Sequence, residues 1–127
     1  MKKIGFISKN KILVQSLAAL ITKLPDLGFE TYLLLSIHQA VLDAQVLGID
    51  VAVVDMIAEL PEKSHDVLQI CENLRQAVPN SRILLLVPQD IKDMREAALM
   101  AVKSGDADDY VFYDSSLDYL LAKLLVL

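Results

Sequence analysis

The sequence predicts an α/β domain in which five parallel strands alternate with five helices. Three observations predict this fold class: short apolar runs bounded by turn residues recur along the chain, a helical pattern follows each run, and the linkers are short. Strands that alternate with helices form right-handed βαβ units, which place helices on both faces of a parallel sheet. With 127 residues, the chain is long enough to bury the core of one such domain.

The first half of the chain contains three predicted strands separated by two predicted helices. The first two strands read K-K-I-G-F-I and F-E-T-Y-L-L-L, and the segment between them repeats apolar residues at helical spacing. Pro25 ends this helix and Gly48 ends the next. Ser8 or Asn10 is expected to cap the first helix, and Ser36 the second. The predicted elements are a strand Lys2–Ile7, a helix Lys11–Leu24, a strand Phe29–Leu35, a helix from Ser36 to Leu47 and the stretch Ile49–Met56.

The stretch Ile49–Met56 is predicted to be the central strand. It reads I-D-V-A-V-V-D-M, and between its two aspartates it is apolar and mostly β-branched. A strand of this kind is buried on both faces, as in the middle of a parallel sheet. It ends on Asp55, and ligands of open α/β sheets bind just outside the carboxyl ends of the central strands. Asp55 is therefore the first candidate for a functional side chain.

The second half of the chain repeats the alternation of helices and strands. A polar loop, Glu59–Ser64, contains Pro61 and precedes a helix. The strand R-I-L-L-L-V stops at Pro88, the strand D-Y-V-F-Y follows the next helix, and Ser115 or Ser116 caps the last helix. The predicted elements are a helix Asp66–Ala77, a strand Arg82–Val87, a helix Ile91–Lys103, a strand Asp109–Tyr113 and a helix from Leu117 to the end.

The simplest arrangement of these elements is a three-layer, flavodoxin-like (βα)5 fold with strand order 2-1-3-4-5. This order places the first and third strands side by side. Asp55 is then expected to lie beside Ser8 and Lys9, which follow the first strand. No connection has the composition of a domain boundary, so residues 1–127 are predicted to form one domain.

Composition and motifs exclude several classes of function. The formal charge is −5 with no basic cluster, so direct nucleic-acid binding is not expected. The apolar runs are too short to span a membrane and the start does not resemble a signal peptide, which favours a cytoplasmic protein. Cys71 is predicted to be a buried thiol, and neither His38 nor His65 has a partner at metal-site spacing. Nucleotide-binding and hydrolase motifs are missing, and no enzymatic activity is expected.

Over essentially the whole chain, the sequence resembles a bacterial response-regulator receiver (CheY-like) domain. The resemblance rests on the opening K-K-I-G-F-I, on the strand D-V-A-V-V-D that ends at Asp55, and on S-G-D-A-D-D-Y-V-F-Y-D-S-S from Ser104 to Ser116. It implies a domain of two-component signal transduction. In this family a carboxylate at the end of strand three accepts a phosphoryl group in a phosphorelay, and two acids after strand one hold Mg²⁺. A serine or threonine ends strand four, and a lysine ends strand five.

The residues at these positions imply a degenerate receiver, or pseudo-receiver. Asp55 matches the phospho-acceptor, but the acidic pair is replaced by Ser8 and Lys9, the hydroxyl by Val87 and the lysine by Tyr113. Phosphoryl transfer to a carboxylate needs Mg²⁺ on hard oxygen ligands and fixed positive charge to neutralise the anions. The resemblance therefore implies that Asp55 is not used and that neither a metal nor another cofactor is bound.

The resemblance and the last helix together predict a surface for protein contacts. The helix from Leu117 is apolar nearly all round, which is typical of a helix covered by a partner. In receivers the face built from the fourth helix, fifth strand and fifth helix commonly forms dimers, and Tyr110 matches an aromatic position that reports activation. We expect a homodimer, or contact with an output domain after Leu127. The leucines predicted to point inward are Leu117, Leu120, Leu121, Leu124 and Leu125. The predicted interaction face contains Met94, Ala98, Ala101, Tyr119 and Val126.

Three further hypotheses stay open. The ammonium group of Lys9 is a candidate partner for Asp55 at the place where receivers hold the metal. A second hypothesis is an unorthodox receiver in which Asp55 is phosphorylated with Mg²⁺ in a rearranged site. A third is a small-molecule-binding α/β module with its pocket at the strand ends, where Val87, Pro88 and Tyr113 would make the walls apolar.

Overall fold

The computed structural model describes residues 2–56 and 64–127. Most of the loop predicted over Glu59–Ser64, including Pro61, lies outside these residues, as do the side chains of His38 and His65. The strands are β1 (Lys2–Ile7), β2 (Phe29–Leu34), β3 (Val51–Asp55), β4 (Arg82–Val87) and β5 (Asp109–Phe112). The helices are α1 (Lys11–Thr22), α2 (Ile37–Leu47), α3 (Ser64–Ala77), α4 (Lys92–Ser104) and α5 (Leu117–Val126).

The five strands form one parallel sheet in the order β2-β1-β3-β4-β5. This confirms the predicted fold class and strand order. The register pairs Val54 of β3 with Ile7 of β1, and Asp55 with Leu86 of β4. The residue that follows Ile7 is Ser8, so the register brings Ser8 beside Asp55 at the carboxyl ends of the central strands.

Apolar side chains cover both faces of the sheet because successive strand residues point to opposite sides. On the face covered by α1 and α5, residues such as Phe6, Val53 and Leu84 pack with Leu124. On the face covered by α2, α3 and α4, residues such as Val54 and Leu85 pack with apolar residues of the three helices. All five residues of β3 are buried, as its β-branched composition predicts.

Some element boundaries differ from the prediction. Helix α1 ends at Thr22 rather than Leu24, because the residue before a proline is disfavoured in the helical conformation. Strand β5 ends at Phe112 rather than Tyr113, since the chain turns there and the Ser115 N–H donates to the Phe112 carbonyl at 3.0 Å. Helix α3 begins at Ser64, two residues earlier than predicted.

Side-chain caps fix the starts of two helices. Asn10 Oδ1 accepts a hydrogen bond from the Leu13 N–H at 3.0 Å, and Ser116 Oγ accepts one from the Tyr119 N–H at 3.2 Å. The prediction for Ser36 is wrong in its detail, because Ser36 precedes α2 but its hydroxyl makes no capping hydrogen bond. Its backbone carbonyl instead accepts from the Gln39 N–H at 3.1 Å.

The amino end of β1 is joined to the carboxyl end of α5. Lys2 Nζ donates to the backbone carbonyls of Leu124 at 3.1 Å and Leu127 at 3.3 Å. A cation at this position satisfies carbonyls that have no partner within the helix and interacts favourably with the helix dipole. Across the described ranges, no helix has the length and apolar character needed to cross a membrane.

Candidate functional site

Asp55 lies at the carboxyl end of β3 and is held by Ser8. The carboxylate is almost fully buried, with 2% of the residue exposed, and Ser8 is completely buried. Ser8 Oγ donates to Asp55 Oδ2 at 2.6 Å, the length of a charge-assisted hydrogen bond. This bond ties the ends of the two central strands together, and it occupies one of the two carboxylate oxygens.

The turn after β1 directs Ser8 inward, and the next residue, Lys9, is exposed. The Asn10 N–H donates to Ser8 Oγ at 2.9 Å, so the serine hydroxyl bridges its own turn and the Asp55 carboxylate. Asn10 in turn caps α1, and Lys9 lies exposed between the two anchored residues. The predicted adjacency of Asp55 to the end of β1 is confirmed, whereas the pairing of Lys9 with Asp55 stays a prediction.

The residues at the ends of β4 and β5 are Val87 and Tyr113, and both are packed into the apolar core. Val87 ends β4 as a fully buried aliphatic side chain. Tyr113 follows β5 and, like Leu17 of α1 and Leu117 of α5, packs against the apolar cluster on one face of the sheet. Its hydroxyl is buried and has no hydrogen-bond partner among the described residues. Neither residue supplies the hydroxyl or the fixed positive charge that phosphoryl transfer to Asp55 would need.

The described residues do not fit a magnesium site. Mg²⁺ prefers oxygen ligands in near-octahedral geometry, with one or two carboxylates among them. The hydroxyl of Ser8 is already engaged with Asp55, and the next side chain is the cation Lys9. Within residues 2–56 and 64–127, no three His, Cys, Asp or Glu residues are grouped so that they could hold a metal ion.

The fold can be compared with solved structures. No family model matches the sequence, and no curated protein matches it. A receiver domain protein (CheY-like) from Methanospirillum hungatei superposes with a TM-score of 0.78 at 14% identity, covering 98% of this chain and 90% of that chain. An adenylate cyclase from Rhodopirellula baltica superposes at 0.78 with 20% identity, covering 98% and 85%.

A third structure is that of a response regulator from Burkholderia pseudomallei, which contains a phosphorylated aspartic acid, a calcium ion and citrate. Its TM-score is 0.74 at 22% identity, and the match covers 96% of this chain but only 65% of that chain, so this chain spans about two thirds of its length. The chain has the receiver fold. Within this fold, Asp55 is the last residue of the third strand.

The helix α4 corrects part of the predicted interaction face. Met94, Ala98 and Ala101 are buried against the sheet, with at most 2% exposed, so these three residues do not form a surface. The prediction is wrong for these three residues because α4 has apolar residues on both its buried and its exposed side, and the three belong to the buried side. The exposed apolar residues of this helix are Leu99 and Met100.

The helix α5 leaves two of the predicted residues at the surface. Tyr119 is 48% exposed and Val126 is 81% exposed, while Leu120, Leu121 and Leu124 are buried as predicted. Leu117 is half-buried. The inward prediction for Leu125 is wrong, because this residue is half exposed on the outer side of the last helical turn.

Polar contacts join α5 to the edge strand β5. Lys123 Nζ forms an ion pair with Asp109 Oδ2 at 2.5 Å and lies 5.4 Å from the centre of the Tyr119 ring. The hydrogen bond with Asp109 raises the pKa of Lys123, so the cation is maintained. Tyr110 is half-buried on the other side of β5, with its ring edge-on to Phe112 at 5.6 Å. Whether Tyr110 acts as a switch stays a prediction.

A groove of about 240 Å³ separates α4 from β5. Its walls are formed by α4 residues that include Arg95 and Leu99 and by Tyr110 and Phe112 of β5. Residues 119, 123 and 126 lie on one stripe of α5. The groove and the residues Tyr119, Lys123 and Val126 are together called the α4–β5–α5 surface.

Sequence reasoning missed a charged cluster at the amino ends of β4 and β5. Asp108 accepts hydrogen bonds from Arg75 Nη2 at 2.8 Å and from the Ile83 N–H at 2.7 Å, and Arg82 Nη1 lies 3.3 Å away. Although burial disfavours the charged carboxylate, these hydrogen bonds hold the pKa of Asp108 below its ordinary value. The cluster joins α3, β4 and the start of β5, and its role is structural.

Proposed function

We propose that this chain is a receiver-like signalling domain of a two-component-type regulator that acts by protein–protein contacts, without Mg²⁺-dependent phosphorylation and without enzymatic activity. The observation that carries the proposal is the buried hydrogen bond from Ser8 to Asp55, in a place where receivers bind their metal. The receiver fold supports a signalling role. A cytoplasmic location follows from this role.

The residues at the family's hydroxyl and lysine positions support the loss of phosphoryl chemistry. A carboxylate that attacks a phosphoryl donor brings two anions together, and cations must neutralise them. At Asp55 the serine hydroxyl stabilises the resting carboxylate and lowers its nucleophilicity. Val87 and Tyr113 add no charge that would favour the phosphorylated state.

The proposal is tested by incubating the protein with Mg²⁺ and acetyl phosphate and measuring its intact mass. We expect no added phosphoryl group, while the Burkholderia pseudomallei response regulator serves as the positive control in the same mixture. A phosphoryl group that appears on this chain and is lost in Asp55→Asn would overturn the proposal. That result would support the unorthodox receiver as the function.

The partner surface that we propose is the α4–β5–α5 surface, with a second copy of the chain as the partner. Its exposed apolar residues include Leu99, Tyr119 and Val126, and Lys123 of the same surface forms an ion pair with Asp109. Interfaces combine apolar contacts with a polar rim that fixes orientation. A groove beside Leu99 adds the concave shape into which a side chain of the other copy can insert.

The dimer is tested by measuring the molar mass with light scattering after size-exclusion chromatography. We expect a concentration-dependent dimer that Val126→Lys weakens by at least tenfold in dissociation constant, because the charge would be desolvated at the interface. The matched control is Val46→Lys, since Val46 of α2 is 76% exposed and lies near the opposite edge of the sheet. A monomer at all concentrations, or equal effects of both variants, would contradict this surface.

A further inference from the structure

A series of hydrogen bonds connects the Asp55 carboxylate to the first turn of α1. Ser8 Oγ donates to Asp55 Oδ2 at 2.6 Å and accepts from the Asn10 N–H at 2.9 Å. Asn10 Oδ1 then accepts from the Leu13 N–H at 3.0 Å, and the Asn10 carbonyl accepts from the Val14 N–H at 3.1 Å. Two N–H groups at the start of α1 therefore depend on the position of Asn10, and Asn10 is held by Ser8.

The series begins in the core and ends at the surface. Ser8 is completely buried, and 2% of Asp55 is exposed. Asn10 is exposed, as are Lys11 and Ile12, the first two residues of α1. A hydroxyl that donates to a charged group becomes a better acceptor, because hydrogen bonds in series polarise one another. The bond from the Asn10 N–H to Ser8 therefore depends on the charge of Asp55.

Helix α5 begins with a cap of the same kind that lies at the surface. Ser116 Oγ accepts from the Tyr119 N–H at 3.2 Å, and Ser116 is exposed. The Leu13 N–H of α1 and the Tyr119 N–H of α5 thus occupy the same position in two helices on one face of the sheet. The difference between the two caps is the buried serine that connects Asn10 to a carboxylate.

We propose that Ser8 and Asn10 couple the charge of the Asp55 carboxylate to the order of the first turn of α1. Neutralising the carboxylate weakens its bond with Ser8, loosens the turn that holds Asn10 and lets the start of the helix fray. Since coupling between two sites is reciprocal, a partner that orders this turn stabilises the charged carboxylate by the same factor. Ser8 and Asn10 are positioning residues. The inference does not depend on the proposed absence of phosphorylation, because it concerns the unmodified carboxylate.

The test is Asp55→Asn, which keeps the shape of the side chain and removes its charge. Amide hydrogen exchange is measured by NMR, and the protection of the Leu13 N–H is divided by that of the Tyr119 N–H. The ratio is used because global unfolding exposes both helices alike, whereas local fraying affects one of them. We expect the ratio to fall by roughly two- to fivefold, since the bond from Ser8 is no longer charge-assisted.

A matched variant controls for the loss of one negative charge. Asp90 is exposed and follows β4 at the same end of the sheet, so Asp90→Asn is expected to leave the ratio unchanged. The inference is overturned if Asp55→Asn does not change the ratio, or if Asp90→Asn lowers it equally.

The route through Ser8 is tested in the Ser8→Ala background. Ser8→Ala removes the bridging hydroxyl, so adding Asp55→Asn should lower the ratio no further. A fall as large as in the wild type would mean that the effect reaches α1 by another route, and would overturn the inference. The comparison of Asp55→Asn with Asp90→Asn decides the coupling even if Ser8→Ala does not fold.

Discussion

Replacing Ser8 with alanine tests whether the contact with Asp55 holds the site together. Ser8 Oγ makes two hydrogen bonds, a buried one donated to Asp55 Oδ2 at 2.6 Å and a partly buried one accepted from the Asn10 N–H at 2.9 Å. A hydrogen bond to a charged group contributes about 1.5–3 kcal/mol and a neutral one about 0.5–1.5 kcal/mol. We therefore expect Ser8→Ala to lower the free energy of unfolding by about 2–4 kcal/mol.

The expected shift in melting temperature follows from the size of the domain. An unfolding entropy of about 2.1 cal/mol/K per residue gives roughly 0.27 kcal/mol/K for this chain, so Tm should fall by roughly 8–15 °C. The measurement is thermal unfolding followed by circular dichroism. The matched control is Ser16→Ala, because Ser16 is exposed in α1 and alanine is the better helix former.

A double-mutant cycle separates the contact from other effects of the substitution. In the Asp55→Asn background the Ser8 hydroxyl faces a neutral amide, so Ser8→Ala should cost about 1 kcal/mol less than in the wild type. The reasoning is refuted if Ser8→Ala and Ser16→Ala have the same Tm. It is also refuted if the cost of Ser8→Ala is unchanged by Asp55→Asn.

Three other substitutions or modifications test the structural contacts. Asp108→Asn should lower the free energy of unfolding by about 1–2 kcal/mol at neutral pH. The difference from wild type should shrink as the pH falls below about 4, because the native pKa of Asp108 is held below its ordinary value and the carboxylate loses its charge in acid. The exposed control is Asp114→Asn, and a difference that grows in acid would contradict the expected pH dependence. Burial raises the pKa of Cys71 to about 12, so a thiol reagent at pH 8 should label it only as fast as the protein opens, and immediate labelling would contradict this. Lys2→Met should lower stability by about 1 kcal/mol in denaturant unfolding, since it removes the cation at the end of α5, and an unchanged midpoint would contradict that role.

The sequence was sufficient for the fold because each strand is a short apolar run and each helix carries its own periodicity. The position of Asp55 beside Ser8 also followed, because the strand order fixes which strand ends are neighbours. The hydrogen bond between them was not predicted, since it depends on a turn that directs one of two adjacent side chains inward. The interaction face failed at Met94 because α4 has apolar residues on both its buried and exposed sides, and composition alone does not say which side meets the sheet.

The face of the sheet on which Tyr113 lies follows from strand geometry. Tyr113 follows Val111 by two residues, and residues two apart along a strand point to the same face of a sheet. Val111 belongs to the face covered by α1 and α5, so strand geometry places Tyr113 on that face, whereas the resemblance had placed it beside Asp55. That its hydroxyl is left without a partner is a property of the assembled helices, which no local pattern contains.

The contact of Lys2 with the last turn of α5 places the two ends of the described chain side by side, at one attachment point for any segment joined to either end. Asp55 lies at the other end of the sheet, and the six residues of β1 alone span roughly 20 Å. A segment joined by a short linker at either end therefore starts out of direct reach of the carboxylate. The direct connection between that attachment point and the carboxylate is β1, which begins at Lys2 and is followed by Ser8, the residue that donates to Asp55.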